Sequence, residues 1–303
     1  STEIHAAYYF PRGINLLGSD ASVHMAPGSH SFSDVSSLTA SDITLGAPAA
    51  AGAPQTVYAG AVTAAEANLQ ANDNSRWIIT GDSTLKSLRA SNAILNFDDN
   101  DLTRQAFVAR ANPGSPLASS RPLAATTKTS SYTLTAGTVA ASDSVLAFRV
   151  DPYSGEHDQL TVATELNGSG NRLRVTDFGV PPASAAVQAR ETLLLSAPRS
   201  TRADLFTLEQ AFEKPDPADA SAPDNPWLGG LAVSHDADQR QWWLISMRQD
   251  APWRLTQDRQ FDSLQSPTAG RVELSQPGAD WTPHTLQTDT MNASGVHFAL
   301  NAR

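Results

Sequence analysis

The residues able to do chemistry are few, and their spacing works against most reactions. A nucleophilic serine needs a base, an orienting acid and a turn whose amides can hold an oxyanion. The nearest string is Gly81-Asp82-Ser83-Thr84. It lacks the second glycine of such a turn and sits inside a strand-like pattern. Where that pattern returns, at Gln257-Asp258-Arg259, the serine is gone. Ser83 therefore reads as structural. The seven histidines (His5, His24, His30, His157, His235, His284, His297) show no HExxH or other close metal-ligand spacing, and read as surface residues. Asp98-Asp99-Asn100-Asp101 offers carboxylates to calcium but lacks the central glycine and closing glutamate of a calcium loop. It reads as a solvated acidic loop. There is no cysteine, which removes disulfides and thiolate chemistry together. The sequence thus assigns no catalytic residue, no metal and no cofactor.

Charge narrows the partners. The net charge is −10, and lysine occurs only at Lys86, Lys128 and Lys214. An acidic chain repels phosphate backbones, so nucleic acid is not an expected partner, and no basic run invites anionic lipid. No apolar run is long enough to span a membrane as a helix. Ser1 is neither a starting Met nor followed by a leader, and Arg303 follows without a cap; both ends read as cuts in a longer chain.

The elements that must position any site are strands. Ser144–Val150, Gln159–Ala163, Asn171–Thr176 and Glu191–Ser196 are short, alternate in polarity and are separated by Gly, Pro, Asn and Asp. Ala64–Ala71 is the best helix candidate by propensity, with Thr63 as a cap. The surrounding pattern is strand, however, and alanine also fills narrow corners.

The chain also repeats itself. Trp77-Ile-Ile-Thr-Gly-Asp-Ser-Thr-Leu-Lys-Ser-Leu88 returns as Trp253-Arg-Leu-Thr-Gln-Asp-Arg-Gln-Phe-Asp-Ser-Leu264, at an offset of 176 residues. Leu85 is matched by Phe261. A second matched block, Thr133 with Thr285 through Ser142 with Ser294, has an offset of 152. The first copy therefore holds an insertion, placed at residues 98–130; a second polar, Pro-rich insertion covers 213–227. Long-range repeats in an all-β chain favour a solenoid, in which each coil contacts only its neighbours.

Several segments resemble the C-terminal passenger region of bacterial autotransporters, the pertactin-like or autochaperone module. They are Trp77–Leu88, Leu146-Ala-Phe-Arg-Val-Asp…Asp158-Gln-Leu-Thr-Val162, Gly168-Ser-Gly-Asn-Arg-Leu-Arg-Val-Thr-Asp-Phe-Gly179, Leu193-Leu-Leu-Ser, Phe206-Thr-Leu and Gln241-Trp-Trp-Leu. The resemblance implies an all-β, right-handed parallel β-helix with inserted surface loops. Coils would occupy 1–56, the module 57–248 and a truncated second copy 249–303. It implies a non-catalytic virulence-factor passenger at the cell surface or secreted across the outer membrane. Its partners would be a host surface or serum protein and the chain's own outer-membrane β-barrel translocator. The alternatives are the stalk of a serine-protease autotransporter and a polysaccharide-active β-helix, which would use clustered acidic and basic residues in a groove.

Trp77, Leu85, Leu88, Phe148, Leu160, Val162, Leu173, Val175, Phe206, Trp253, Phe261 and Leu264 are the expected core. Trp242 and Trp243 are adjacent, so a strand must point them to opposite faces; one could cap the apolar end while the other meets a partner. Residues 144–244, the densest in apolar strands, are expected to be the most persistent part of the fold.

Overall fold

Short apolar alternations punctuated by Gly, Asn and Asp fold as strands throughout. The computed structural model describes residues 1–5, 7–9, 13–18, 20–48, 54–111, 130–177, 189–213, 227–248 and the strands 253–255, 261–265, 271–274 and 284–287. Among the described residues are 24 strands and one α-helix, so the protein is all-β in class.

Two long sheets carry the architecture. The first contains β1 (Thr2–Ile4), β3 (Ile14–Leu16), β4 (Ala21–Met25), β6 (Val35–Ser37), β7 (Ser41–Leu45), β9 (Val62–Ala71), β11 (Ser83–Ser91), β13 (Thr133–Ser142), β15 (Gln159–Ser169) and β17 (Ala189–Pro198). The second contains β2 (Ala7–Tyr9), β5 (His30–Phe32), β8 (Thr56–Ala59), β10 (Ser75–Ile79), β12 (Ile94–Phe97), β14 (Val145–Val150), β16 (Asn171–Asp177) and β18 (Phe206–Glu213). From β8 to β18 the chain alternates strictly between the two, and the pairings within each sheet are parallel. Both sheets run unbroken past residue 57, where β5 pairs with β8 and β7 with β9.

Register stacks the core in rows. Tyr58, Trp77, Leu95, Leu146, Leu173 and Leu208 align across the second sheet. Ile43, Leu69, Leu88, Val139 and Leu166 align across the first. The Tyr58 and Trp77 rings stack at 6.3 Å and Phe97 and Phe148 at 5.5 Å. Leu85, Leu160, Val162, Val175 and Phe206 are buried in the same interior.

The Ala64–Ala71 segment is not a helix. It lies in β9, with Ala64, Ala67, Leu69 and Ala71 buried. Parallel neighbours on both sides override its local propensity. This strand also covers what is a corner between two strands earlier in the chain: β6 pairs with its start and β7 with its end. The corner survives as register shifts at Leu85/Ser87 and Ala136/Thr138.

The four passages from the first sheet to the second between β9 and β16 each use one left-handed residue: Asn74, Asn92, Asp143 and Gly170. Asn, Asp and Gly tolerate that conformation. Their amides form a ladder, Asn74 N–H to Asn92 O at 3.2 Å, Asn92 to Ser142 at 3.0 Å and Asp143 to Ser169 at 2.9 Å. Behind it Asn171 is buried, donating to the Ala141 carbonyl at 2.7 Å and accepting the Ser144 amide at 3.1 Å. Gly168, at φ 131°, packs its Cα so closely that a Cβ would overlap the Ala141 carbonyl. Gly168→Ala should cost about 1–3 kcal/mol through backbone strain. In a urea melt it should lose more than Gly18→Ala, whose φ is also positive but which has nothing within 4 Å of an added Cβ.

The parallel stack ends against antiparallel strands. Strand β19 (Trp227–His235), β20 (Gln239–Arg248) and β22 (Phe261–Gln265) continue the first sheet in the order β17-β20-β19-β22. Trp242 meets Phe206 edge-on at 5.7 Å, and Trp227 meets Tyr153 at 5.5 Å. A separate sheet holds β21 (Trp253–Leu255), β23 (Arg271–Leu274) and β24 (His284–Gln287). The two copies of the sequence repeat therefore take different places. Strand β10, with Trp77, has parallel neighbours on both sides, and so has β11, with Leu85 and Leu88. The counterparts Phe261 and Leu264 lie in β22, which is antiparallel to β19, because the hairpin offers an antiparallel edge. The side chains of Trp253, Phe261 and Leu264 lie outside the described residues.

Candidate functional site

Alternation along β10–β18 turns one residue in two outward on the second sheet, and this face carries the charge. Near the end of β14, Arg149 stands against Asp158, both side chains almost wholly buried. Arg149 donates from its backbone N–H and Nε to Oδ2 of Asp158, at 2.8 and 2.9 Å, and from Nη2 to Oδ1 at 2.9 Å. Burial works against the guanidinium charge. The Asp158 hydrogen bonds and charge more than offset it, so Arg149 stays above its ordinary pKa.

This pair holds the end of the first insertion. Arg149 Nη2 donates to the Ser130 carbonyl at 2.8 Å, Tyr132 N–H donates to Asp158 Oδ1 at 2.8 Å, and the guanidinium lies 5.0 Å from the Tyr132 ring centre. The start of the insertion is fixed alongside. Asp98 N–H bonds the Ile79 carbonyl at 3.0 Å, and Asn100 Nδ2 reaches the Thr80 carbonyl at 3.2 Å. Asn100 and Asp99 at the entry and Arg149 and Asp158 at the exit all act on the Tyr132 hydroxyl, whose pKa burial raises.

The acidic run is not the solvated loop expected. Asp98 is half-buried, and burial pushes its carboxyl up, against the Asp99 N–H, Arg149 and Arg76. Asp99 precedes helix α1 (Asn100–Ala111), with Asp101 in its first turn, where negative charge suits the helix's positive end. The helix lays Phe107 on Phe32 at 5.6 Å, beside Val57 and Ile78 on the outer face of the second sheet. Residues 112–129, and 214–226 of the second insertion, lie outside the described residues.

Further along the face, register aligns Asn96, Ala147 and Arg174 in one row and Ile94, Val145 and Arg172 in the next. Arg76 donates from Nε to Asn96 Oδ1 at 2.7 Å. A register shift between Leu173 and Arg174 leaves Glu209 turned to both arginines: Arg174 Nε at 2.7 Å and Arg172 Nη1 at 3.1 Å. These contacts hold the Glu209 carboxyl below its ordinary value, the Arg174 hydrogen bond being the largest cause. The stabilisation is full above pH 4.5, the ordinary value, and is lost as pH falls through the depressed one. Glu209→Gln should remove that acid-side loss, about 1 kcal/mol or less for a partly exposed pair, in melts between pH 6 and about 3.

The tryptophan pair divides between the two faces. Trp242 is fully buried against Phe206, so it is not a partner contact; the antiparallel cap needs it inside. Trp243 is half-buried and donates its indole N–H to Ser234 Oγ at 3.1 Å. Ser83 is buried, donating to the Gly81 carbonyl at 3.0 Å and accepting the Val62 amide at 3.0 Å. Among the described residues no group of three His, Cys, Asp or Glu could hold a metal ion, and no helix is long and apolar enough to cross a membrane. A void between the sheets, lined by Ile79, Leu95, Phe97 and Leu134, is apolar and about the size of a water. The buried Arg149–Asp158 pair and the Glu209 bridge escaped the sequence reading. Their signal was a charge set within apolar alternation, as in Val145-Leu-Ala-Phe-Arg-Val150. No family model matches the chain, and no curated protein matches its sequence.

Proposed function

We propose that this chain is a non-catalytic display scaffold: a right-handed parallel β-helix of the autotransporter-passenger type, carried at the cell surface or secreted. The coils act as a stalk, the antiparallel aromatic end as a stable cap, and the first insertion as the element that meets a host surface or serum protein. Its assembly partner in the longer chain is an outer-membrane β-barrel translocator. The observation that carries this reading is the anchoring of both ends of the insertion, the exit by Arg149, Asp158 and Tyr132 and the entry by Asn100 on the Thr80 carbonyl. An element whose two ends are fixed on the scaffold meets a partner at lower entropic cost than one hung from free ends.

The test replaces residues 112–129 with Gly and Ser in the otherwise intact chain. Binding of purified complement regulators and matrix proteins is then measured on immobilised protein. Saturable binding of one of these, weakened about tenfold or more by the replacement, is the expected result. Binding indifferent to the replacement, or hydrolysis of protein or polyuronate by the intact chain, would overturn it.

A further inference from the structure

The charges at the root of the first insertion do not balance. Three carboxylates, Asp98, Asp99 and Asp158, stand with two guanidiniums, Arg76 and Arg149. Both guanidiniums are engaged elsewhere. Arg149 forks onto Asp158 and reaches the Ser130 carbonyl, and Arg76 donates from Nε to Asn96 Oδ1 at 2.7 Å. Asp98, half-buried just after β12, is the carboxylate left over. Among the described residues its side chain accepts one hydrogen bond, from the Asp99 N–H to Oδ1 at 2.8 Å, and no cation lies within ion-pair distance of it. The same residue ties the entry of the insertion to the scaffold. Its own N–H bonds the Ile79 carbonyl at 3.0 Å, and the next carbonyl, of Asp99, accepts the Thr103 N–H at 3.0 Å as helix α1 begins.

We infer that this root is a proton-operated clasp: Asp98 takes up a proton in mild acid, and the entry of the insertion is then held more firmly. Charged groups reach Asp98 from three elements: Arg76 from β10, Arg149 from β14 and Asp99 from the turn before α1. Burial is the largest influence and raises its pKa, and the Asp99 charge acts in the same direction. The Asp99 N–H, Arg149 and Arg76 act the other way without offsetting it. A folded-state pKa above the ordinary 3.8 means that the folded chain binds the proton before the unfolded chain does. The charged carboxylate therefore costs stability at neutral pH. That cost is relieved as pH falls through the raised value, and the relief is complete below 3.8. The sign is opposite to that of an acid serving a helix N-terminus by its charge, which stabilises when ionised. The use of the clasp rests on the insertion being the element that meets a partner, since a firmer root lowers the entropic cost of binding. The proton uptake does not rest on it.

The experiment compares the intact chain with Asp98→Asn, in which Oδ1 can still accept the Asp99 N–H but the charge is gone. Urea midpoints are taken from about pH 7.5 down to about pH 4.5. Asp98→Asn is expected to unfold at higher urea than wild type at the neutral end. The difference should shrink toward the acid end, as the native carboxyl takes its proton. Glu209 titrates in both chains, so its acid-side loss cancels in the difference. Amide exchange at Asp98 and Thr103, followed by NMR and corrected for the intrinsic effect of pH, locates the change. Protection there should rise several-fold in acid in wild type and stay level in the variant. The titration of the Asp98 carboxyl carbon in the wild-type chain decides the matter if Asp98→Asn folds poorly, with a midpoint expected above 3.8. A midpoint at or below 3.8 overturns the clasp, as does an Asp98→Asn chain less stable than wild type by a constant margin across the range. A shrinking difference without a change in protection places the effect away from the entry, and overturns it too. None of these results touches the insertion's protein binding, which is read with a ligand, and loss of that binding would leave the titration as it is.

Discussion

Asp158→Ala is expected to destabilise the protein by about 3–5 kcal/mol, the cost of stranding a buried arginine without its carboxylate. The Asp158 side chain has no solvent exposure and accepts four hydrogen bonds: three from Arg149 and one from the Tyr132 amide. Its loss removes the charge that supports the guanidinium and leaves two backbone N–H groups without their acceptor. A double variant, Arg149→Met with Asp158→Leu, should recover only part of the loss. It removes the stranded charge, but the Tyr132 and residue-149 amides stay unsatisfied, at about 1–3 kcal/mol each. Urea midpoints of the single and double variants give the comparison. A loss below about 1 kcal/mol for Asp158→Ala would mean that water reaches the pair, and that the insertion is not held as described.

Trp77→Ala is expected to cost a similar amount, about 3–5 kcal/mol, by opening a cavity in the row between Tyr58 and Leu95. The indole is fully buried, stacks on Tyr58 and donates its N–H to the Gly60 carbonyl at 3.0 Å. Trp77→Phe separates the two contributions. It keeps most of the apolar volume and loses the hydrogen bond, so about 1–3 kcal/mol should remain. Trp243→Ala, at a half-buried outward position, should cost about 1 kcal/mol. Thermal unfolding of the three variants orders them, and a Trp77→Ala loss no larger than that of Trp243→Ala would contradict the stacked core.

Strand content and alternation were legible in the sequence because period two is a local property. Leu173 and Val175 point inward, and Arg172 and Arg174 outward, as their spacing demands. The long repeat was less informative. It matched Leu85 with Phe261, yet strand pairing is decided by the edge a strand meets, and β22 meets an antiparallel one. A shorter signal went unused: Ala90-Ser-Asn-Ala93, Ala141-Ser-Asp-Ser144 and Gly168-Ser-Gly-Asn171 mark the same turn before β12, β14 and β16. Helix α1 was hidden because its sequence lay in a segment read by composition as a loop, and its one large described contact, Phe107 on Phe32, comes from more than 70 residues away. The charged face was illegible for the same reason. Arg76 and Arg174 are brought together only by the parallel pairing of β10, β12, β14 and β16, and nothing local records that.

The central claim is that successive coils stack in parallel register as a scaffold, and the absence of cysteine makes it directly measurable. Cysteines placed at the exposed positions Asp42 and Glu165 can be spin-labelled without competing sites. Register carries Asp42 to Asn68, Ser87, Thr138 and Glu165, one strand step at a time. Four steps place the two backbones about 19 Å apart, although they stand 123 positions apart in sequence. Double electron–electron resonance should give one distance distribution centred near that value, broadened by the label linkers. A distribution centred beyond about 30 Å, or several separated peaks, would contradict the stacked parallel coils and the scaffold built on them.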